Sequence, residues 1–245
     1  MTTGIVQSPL LEVHQEQDIW SFTLNRPDKL NALNAELVDA LLAAVEQAHA
    51  RQARLLVFRG AGKSFSAGFD LSRLEEQSEG DLVLRFVRIE MLLQAVANSP
   101  AQTLALAHGK VFGAGVDLFA VCRHRAASAD AQFKMPGLKF GLVLGTRRFG
   151  DIVGPAKARE LLEDLSSFSA EQAQSMGFAT RLAEPEHWPD LMRQIHATSL
   201  QLEDLPRAEL YRVLGSHSGD EDLATLTRSA ARPGLKNRLR AYLGK

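Results

Sequence analysis

Residues 57–71 read VFRGAGKSFSAGFDL. An apolar run, Leu55 to Phe58, has the pattern of a strand buried on both faces. It passes through a glycine turn into Ser66-Ala67-Gly68, and Asp70 is placed to cap a following helix. Such a loop exposes backbone N–H groups beside a helix N-terminus, where partial positive charge collects. A second glycine-rich stretch, His108-Gly-Lys-Val-Phe-Gly-Ala-Gly-Val-Asp117, repeats the arrangement. Two such loops predict two N–H donors converging on one oxygen that becomes negative during reaction.

The flanking pattern alternates strand and helix. Trp20, Phe22 and Leu24 alternate with Ser21 and Thr23, so 10–14 and 18–24 read as paired strands. Asn34 caps a predicted helix over 35–50, with Leu37, Leu41, Val45 and Ala48 as its apolar stripe. A second helix, 81–98, stops at Ser99-Pro100. Residues 103–107 form a short buried strand, a helix begins near Ala114, and 125–133 read as extended. Pro155 opens a helix over 155–164, Ser169 to Gln172 form a capping box, and 178–182 read as a strand. From Trp188 onward the pattern is helical. The expectation is an α/β core over 1–187 with an α-helical region over 188–245.

Composition narrows the function classes. The chain has 245 residues, 45% hydrophobic, enough for one large core. Its 28 basic and 29 acidic side chains give a net charge of −1, with no basic stripe for nucleic acid. The lone Cys122 cannot form an internal disulfide, and neither a signal peptide nor an apolar run of roughly 18 residues is evident. These features predict a cytoplasmic protein with no membrane partner. The histidines show no zinc spacing, so no metal site is expected.

Four segments in order resemble the crotonase superfamily, the enoyl-CoA hydratase/isomerase family. They are Leu24-Asn-Arg-Pro-Asp-Lys-Leu-Asn-Ala-Leu33, Gly60-Ala-Gly-Lys-Ser-Phe-Ser-Ala-Gly-Phe-Asp70, His108 to Asp117, and Phe168-Ser-Ala-Glu-Gln-Ala-Gln-Ser-Met-Gly177. The resemblance implies a core of repeated ββα turns, a helical C-terminal trimerisation region, and a homotrimer or dimer of trimers. It implies an acyl-CoA thioester as substrate, with coenzyme A as part of that substrate and no permanently bound cofactor. The thioester oxygen would accept hydrogen bonds from the N–H groups of Ala67 and Ala114. Arg26 and Lys29 match positions near the CoA phosphates, and Ser66, Ala67, Gly68, Phe69 and Asp70 would line the adenine and pantetheine path. A solvated surface role is the alternative for Arg26 and Lys29.

The chain also departs from the family. Of the two glutamates with which the hydratases activate water, one position is Asp117 and the other is Gly137. Glycine cannot transfer a proton. The loop Gly141-Leu-Val-Leu-Gly-Thr-Arg-Arg148 is shortened, so the acyl pocket is expected to differ. Asp117 has two readings: a general base with a pKa raised by burial, or an acid placed only to complement its helix. Arg85, Arg88 and Glu90 read as surface charges, and His108 and Tyr211 as packed residues. The expected activity is hydratase- or isomerase-type chemistry on an acyl-CoA through an enolate. The alternatives are thioester hydrolysis, decarboxylation or C–C cleavage, or acyl-CoA binding without turnover.

Overall fold

The computed structural model describes residues 8–215 and 218–244. The chain begins as a hairpin. β1 (Leu11–Glu16) and β2 (Ile19–Leu24) pair antiparallel, with Leu11 opposite Leu24 and Glu16 opposite Ile19. A parallel neighbour for β2 needs a crossover. α1 (Ala35–Ala50) supplies it; the Asn34 side chain accepts the Leu37 N–H at 3.0 Å, and Leu37, Leu41, Val45 and Ala48 are all buried. Each such leucine or valine contributes about 1.5–3 kcal/mol by leaving water.

From there the chain repeats one manoeuvre. β3 (Leu55–Gly60) joins the first sheet, and β4 (Ser64–Ser66) starts a second. α2 (Glu79–Ala97) follows, opened by a Ser78–Asp81 capping box. β5 (Gln102–Ala107) returns to the first sheet, β6 (Lys110–Phe112) to the second, and α3 (Ala114–Ala120) follows. β7 (His124–Ala127) and β8 (Gln132–Lys134) divide between the sheets in the same way. These are the repeated ββα turns of the crotonase-like α/β fold. The first sheet has the order β1-β2-β3-β5-β7-β10, the second β4-β6-β8-β9.

α4 (Thr146–Val153), α5 (Pro155–Glu163), β9 (Phe168–Ser169), α6 (Ala170–Ser175) and β10 (Arg181–Leu182) complete this part. The predicted extended stretch 125–133 is therefore two strands in different sheets. Ser128 breaks it: its hydroxyl donates to Asp130 at 2.5 Å, and the Ala131 N–H turns back onto Ser128 O at 3.0 Å. The predicted strand 178–182 shortens to β10, because Phe178 is a core side chain packed on Phe119, Phe133 and Phe149. α4 has no apolar stripe long enough to be read as a helix; only Phe149 is buried in it.

Four helices end the chain: α7 (Trp188–Ser199), α8 (Asp204–Leu214), α9 (Gly219–Ala230) and α10 (Leu235–Tyr242). Trp188, Leu191 and Ile195 of α7 pack on Leu55, Val57, Leu104 and Leu106, covering the face of the first sheet opposite the main core. α9 lies against α2. α10 buries Leu235 and Leu239, while its basic face ties down neighbouring backbone: Arg238 donates to Phe140 O at 2.9 Å and Lys236 to Gln77 O at 2.9 Å. No helix is long and apolar enough to cross a membrane among the described residues.

Candidate active site

The first glycine-rich loop is held almost entirely through its backbone. Asn31 is fully buried at φ 54, and its amide donates to Ser64 O at 2.7 Å and Ala61 O at 2.8 Å. Ser66 Oγ donates to Asn31 O at 2.8 Å. The Ala67 N–H donates to Leu30 O at 2.8 Å, Leu33 N–H to Gly68 O at 2.7 Å, and Asp70 N–H to Leu33 O at 3.1 Å. The Gly68 N–H turns onto Ser66 Oγ at 3.2 Å. Phe69 is thus the residue of this run whose N–H has no hydrogen-bond partner among the described residues. This corrects the expectation for Ala67: its N–H is occupied within the fold, and the free donor lies two residues further on.

The Phe69 ring is clamped. It stacks on Phe86 at 4.1 Å between centroids, and the Arg85 guanidinium lies 3.9 Å from the ring centre. Arg85 also donates to Asp70 O at 2.8 Å and Leu33 O at 3.2 Å, so it is a buried brace, not a surface charge. Arg26 pairs with Asp70 at 2.8 Å and donates to Ala32 O; its guanidinium holds the loop from beneath. Asp70 in turn accepts the Ser72 N–H at 2.8 Å, capping a turn in place of the expected helix. The Arg26 guanidinium and the Ser72 hydrogen bonds hold the Asp70 carboxyl below its usual range against the opposing effect of burial. Lys29 is exposed.

The second loop delivers the other donor. Ala114 is the first residue of α3, so its N–H has no intrahelical acceptor. The loops touch at Gly68. At φ +84, a Cβ there would lie 2.5 Å from Phe112 O and 3.2 Å from Ala114 N. Only a glycine lets the Phe69 and Ala114 backbones approach this closely.

Both donors border one cavity of about 140 Å³. Its remaining walls are apolar, from Phe86, Met135, Leu142, Leu144, Leu162 and Leu239 among others, and Gly137 forms part of them. Asp117, one turn into α3, is the carboxylate among the lining residues; Thr146 and Tyr242 add hydroxyls. Asp117 is 4% exposed, and its Oδ1 is buried without a hydrogen-bond partner. Gly145 makes room for it: a Cβ at that φ +64 position would fall 1.8 Å from Oδ1. Burial drives the Asp117 carboxyl well above the usual carboxylate range; Arg148 opposes this and Glu90 adds to it. A group of this kind holds its proton strongly.

Sequence patterns located both loops and Asp117, and placed Gly137 beside them. They missed Phe69 as a donor, Tyr242 and Thr146 as lining groups, and the burial of Glu90, which is 1% exposed and paired to Arg148 at 2.5 Å and 3.0 Å. The fully apolar residues around Glu90, Ile89 and Leu93, were the available signal. His108 and Tyr211 are packed as expected: His108 Nε2 bonds Gly62 O at 2.9 Å, and Arg123 lies 4.0 Å over the Tyr211 ring. No group of three metal-ligating side chains occurs among the described residues.

Known proteins resemble this chain in sequence and fold. The family model for enoyl-CoA hydratase/isomerase matches residues 14–208. The probable enoyl-CoA hydratase echA6 of Mycobacterium tuberculosis is 31% identical over 78% of this chain and 79% of its own. The human mitochondrial enoyl-CoA hydratase domain-containing protein 2 is 32% identical over 82% of this chain and 70% of its own. A crystal structure from Bordetella parapertussis, provisionally named an enoyl-CoA hydratase/isomerase, is 54% identical with a TM-score of 0.96, covering 97% of this chain and all of its own. The chain therefore belongs to the enoyl-CoA hydratase/isomerase family, within the crotonase superfamily.

Proposed function

We propose that the chain is an acyl-CoA enzyme of isomerase type, moving a proton along the acyl group through a thioester enolate. The observation that carries this reading is the Asp117 carboxyl, whose Oδ1 has no hydrogen-bond partner among the described residues, in an apolar cavity bordered by the N–H groups of Phe69 and Ala114. The thioester oxygen accepts from both N–H groups. Asp117 removes a proton from the carbon beside the thioester; the electron pair moves into the enolate, and the oxygen becomes negative. The two donors stabilise that charge, and removal of one such donor costs roughly 3–4 kcal/mol. Asp117 then returns the proton to the far end of the conjugated system. Its high proton affinity makes it a stronger base than a solvated aspartate, at a smaller ionised fraction.

Hydration asks for more. Water must be held and activated beside the alkene, and Gly137 presents no side chain for that task. The same oxyanion hole could serve decarboxylation or C–C cleavage. Binding without turnover is the competing reading, favoured by the apolar wall at Gly137. Coenzyme A enters as part of the substrate, and no permanent cofactor is needed. Exposed Lys29 is available to its phosphates, whereas Arg26 acts from below by fixing Asp70. The backbone of residues 66–70 forms the path for adenine and pantetheine.

We assign the family's homotrimer or dimer of trimers to this chain as well, with the core over 1–187 and the helical region over 188–245 supplying contacts. Leu205 and Leu214, 75% and 78% exposed on α8, support this. A monomer by light scattering at micromolar concentration would remove that assignment. A cytoplasmic setting fits the single thiol, Cys122, which burial pushes up to about 12 and so leaves unreactive.

A panel of saturated, 2-enoyl, 3-enoyl and β-keto acyl-CoA esters, read by mass spectrometry and ultraviolet absorbance, tests the function. Conversion of a 3-enoyl ester to its conjugated isomer at unchanged mass supports it. Gain of one water, or loss of carbon dioxide or CoA, replaces it with another reaction. Binding of esters with no product from any of them replaces it with the binding reading.

A further inference from the structure

Behind Asp117 lies a buried ion cluster that none of the steps above uses. It joins three helices. Arg148 on α4 pairs with Glu90 on α2 at 2.5 Å and 3.0 Å, and reaches Asp222 on α9 at 3.3 Å. Arg147, its neighbour, meets Asp222 through two bonds of 2.8 Å and 2.6 Å. Gln94 completes the set, donating to Glu90 at 2.9 Å and to Gly219 O, at the start of α9, at 2.7 Å.

The cluster includes two residues of the helix that starts beside Asp117. α4 begins directly after Gly145, the residue on which the Asp117 carboxyl rests. The free N–H groups of the first turn of α4 therefore start beside an oxygen that has no partner. Phe149 anchors the middle of α4 in the aromatic core, 5.1 Å from Phe178 and 5.9 Å from Phe168. Its start is short, glycine-led and without a side-chain cap. The two arginines tie that end to α2 and α9, together with the Val143 N–H, which donates to Ser229 Oγ of α9 at 3.0 Å.

We propose that Glu90, Arg148 and Asp222 are positioning residues for Asp117, holding the start of α4 and a set of opposed charges against its carboxyl. This rests on the reading of Asp117 as the base. The charged groups that act on Asp117 are Glu90 from α2 and Arg148 from α4, and the hydroxyls of Thr146 on α4 and Tyr242 on α10 line the same cavity. Glu90 and Arg148 act on the carboxyl with opposite sign. Burial is the largest influence on its protonation, ahead of either charge. Without the other, either one acts unopposed at close range in a medium that screens poorly.

The opposition of sign gives a test that loss of packing cannot imitate. The protonation of Asp117 is followed by carboxyl-carbon NMR titration of aspartate-labelled protein, with its resonance identified by absence from Asp117→Asn. Glu90→Gln removes the negative charge and leaves Arg148 with only its 3.3 Å contact to Asp222, so the Asp117 midpoint falls by about one pH unit, a tenfold loss of proton affinity. Arg148→Met leaves Glu90 unpaired, so the midpoint rises by a similar amount. In a turnover assay the acidic limb of the kcat profile moves with each midpoint. Midpoints that stay fixed, or that move in the same direction in both variants, overturn the proposal. Breaking a buried pair destabilises, so Asp222→Asn, nearer the surface, serves where either variant does not fold. It lowers the midpoint by less than Glu90→Gln, and an unmoved midpoint overturns the proposal there too. The titration needs no substrate. Opposite shifts with no ester turned over would leave the positioning role standing and remove only the functional reading.

Discussion

The two sides of the cavity are built from different materials. The donor side is main chain: Phe69 and Ala114 offer N–H groups, and Asn31, Ser66 and Gly68 fix the loops through backbone contacts. The acyl side is side chain, an apolar lining from residues 135–144, Leu162 and α10, with Gly137 in the wall. A backbone device allows one geometry and one residue type at each pivot. An apolar wall accepts many residues of similar volume. On the function proposed above, the donor side carries the reaction and the acyl side sets which ester enters.

The largest effect is expected where the donor side is most confined. Gly68→Ala forces a Cβ to within 2.5 Å of Phe112 O at a positive φ, driving the loops apart. We expect kcat/KM to fall roughly 100- to 1,000-fold, as for loss of an oxyanion donor, with circular dichroism of the folded protein largely retained. A change of less than about threefold would show that the loops do not form the donor pair.

Asp117→Asn is expected to lower kcat by about 100- to 10,000-fold while ester affinity changes little; isothermal titration and initial rates separate the two. The same variant reads out burial. The Asp117 pKa is raised in the fold, so the native state binds this proton more tightly than the unfolded chain. Its contribution to stability is full below about pH 4, the unfolded aspartate value, and is lost as pH rises toward the raised native value. Urea midpoints of the parent should therefore fall across that window relative to Asp117→Asn. Parallel curves would mean that the carboxyl is solvated.

Next comes the brace. Arg85→Met removes the cation over Phe69 and the bonds to Leu33 O and Asp70 O. A roughly tenfold loss in kcat/KM is expected, the order of one charge-assisted hydrogen bond, with KM changing less than kcat. The acyl side should respond least. A Cβ at Gly137 would lie 3.2 Å from Leu142 O, which a small shift relieves. Gly137→Ala should cost about 1 kcal/mol or less for a short ester and more for a branched one. Equal losses on both sides of the cavity would dissolve the distinction between them.

The same distinction explains what could be read from the sequence. The Asn34 cap, the Ser169 capping box and the strands β2, β3 and β5 are local patterns, and each forms where expected. The two donor loops are legible because glycine, small residues and a helix start leave a signature. Ala67 could not be told from Phe69 in that way: the choice depends on Leu30 O, a carbonyl brought in from another segment at 2.8 Å. Glu90 looked like a surface charge because its partners, Arg148 and Gln94, come from α4 and from its own next turn. The Tyr242 wall needed the fold to bring α10 back across the cavity. The short strands β4, β6 and β8 carry too few residues to display a period, and only their pairing into a second sheet reveals them.

The most direct test is conversion of a 3-enoyl-CoA ester in heavy water, followed by ultraviolet absorbance and mass spectrometry with the parent protein and Asp117→Asn side by side. If Asp117 carries the proton from one carbon to the other through an enolate, the parent forms the conjugated isomer, largely keeping the substrate hydrogen, and Asp117→Asn loses nearly all conversion. Equal conversion by the two proteins would contradict the assignment of Asp117 as that base.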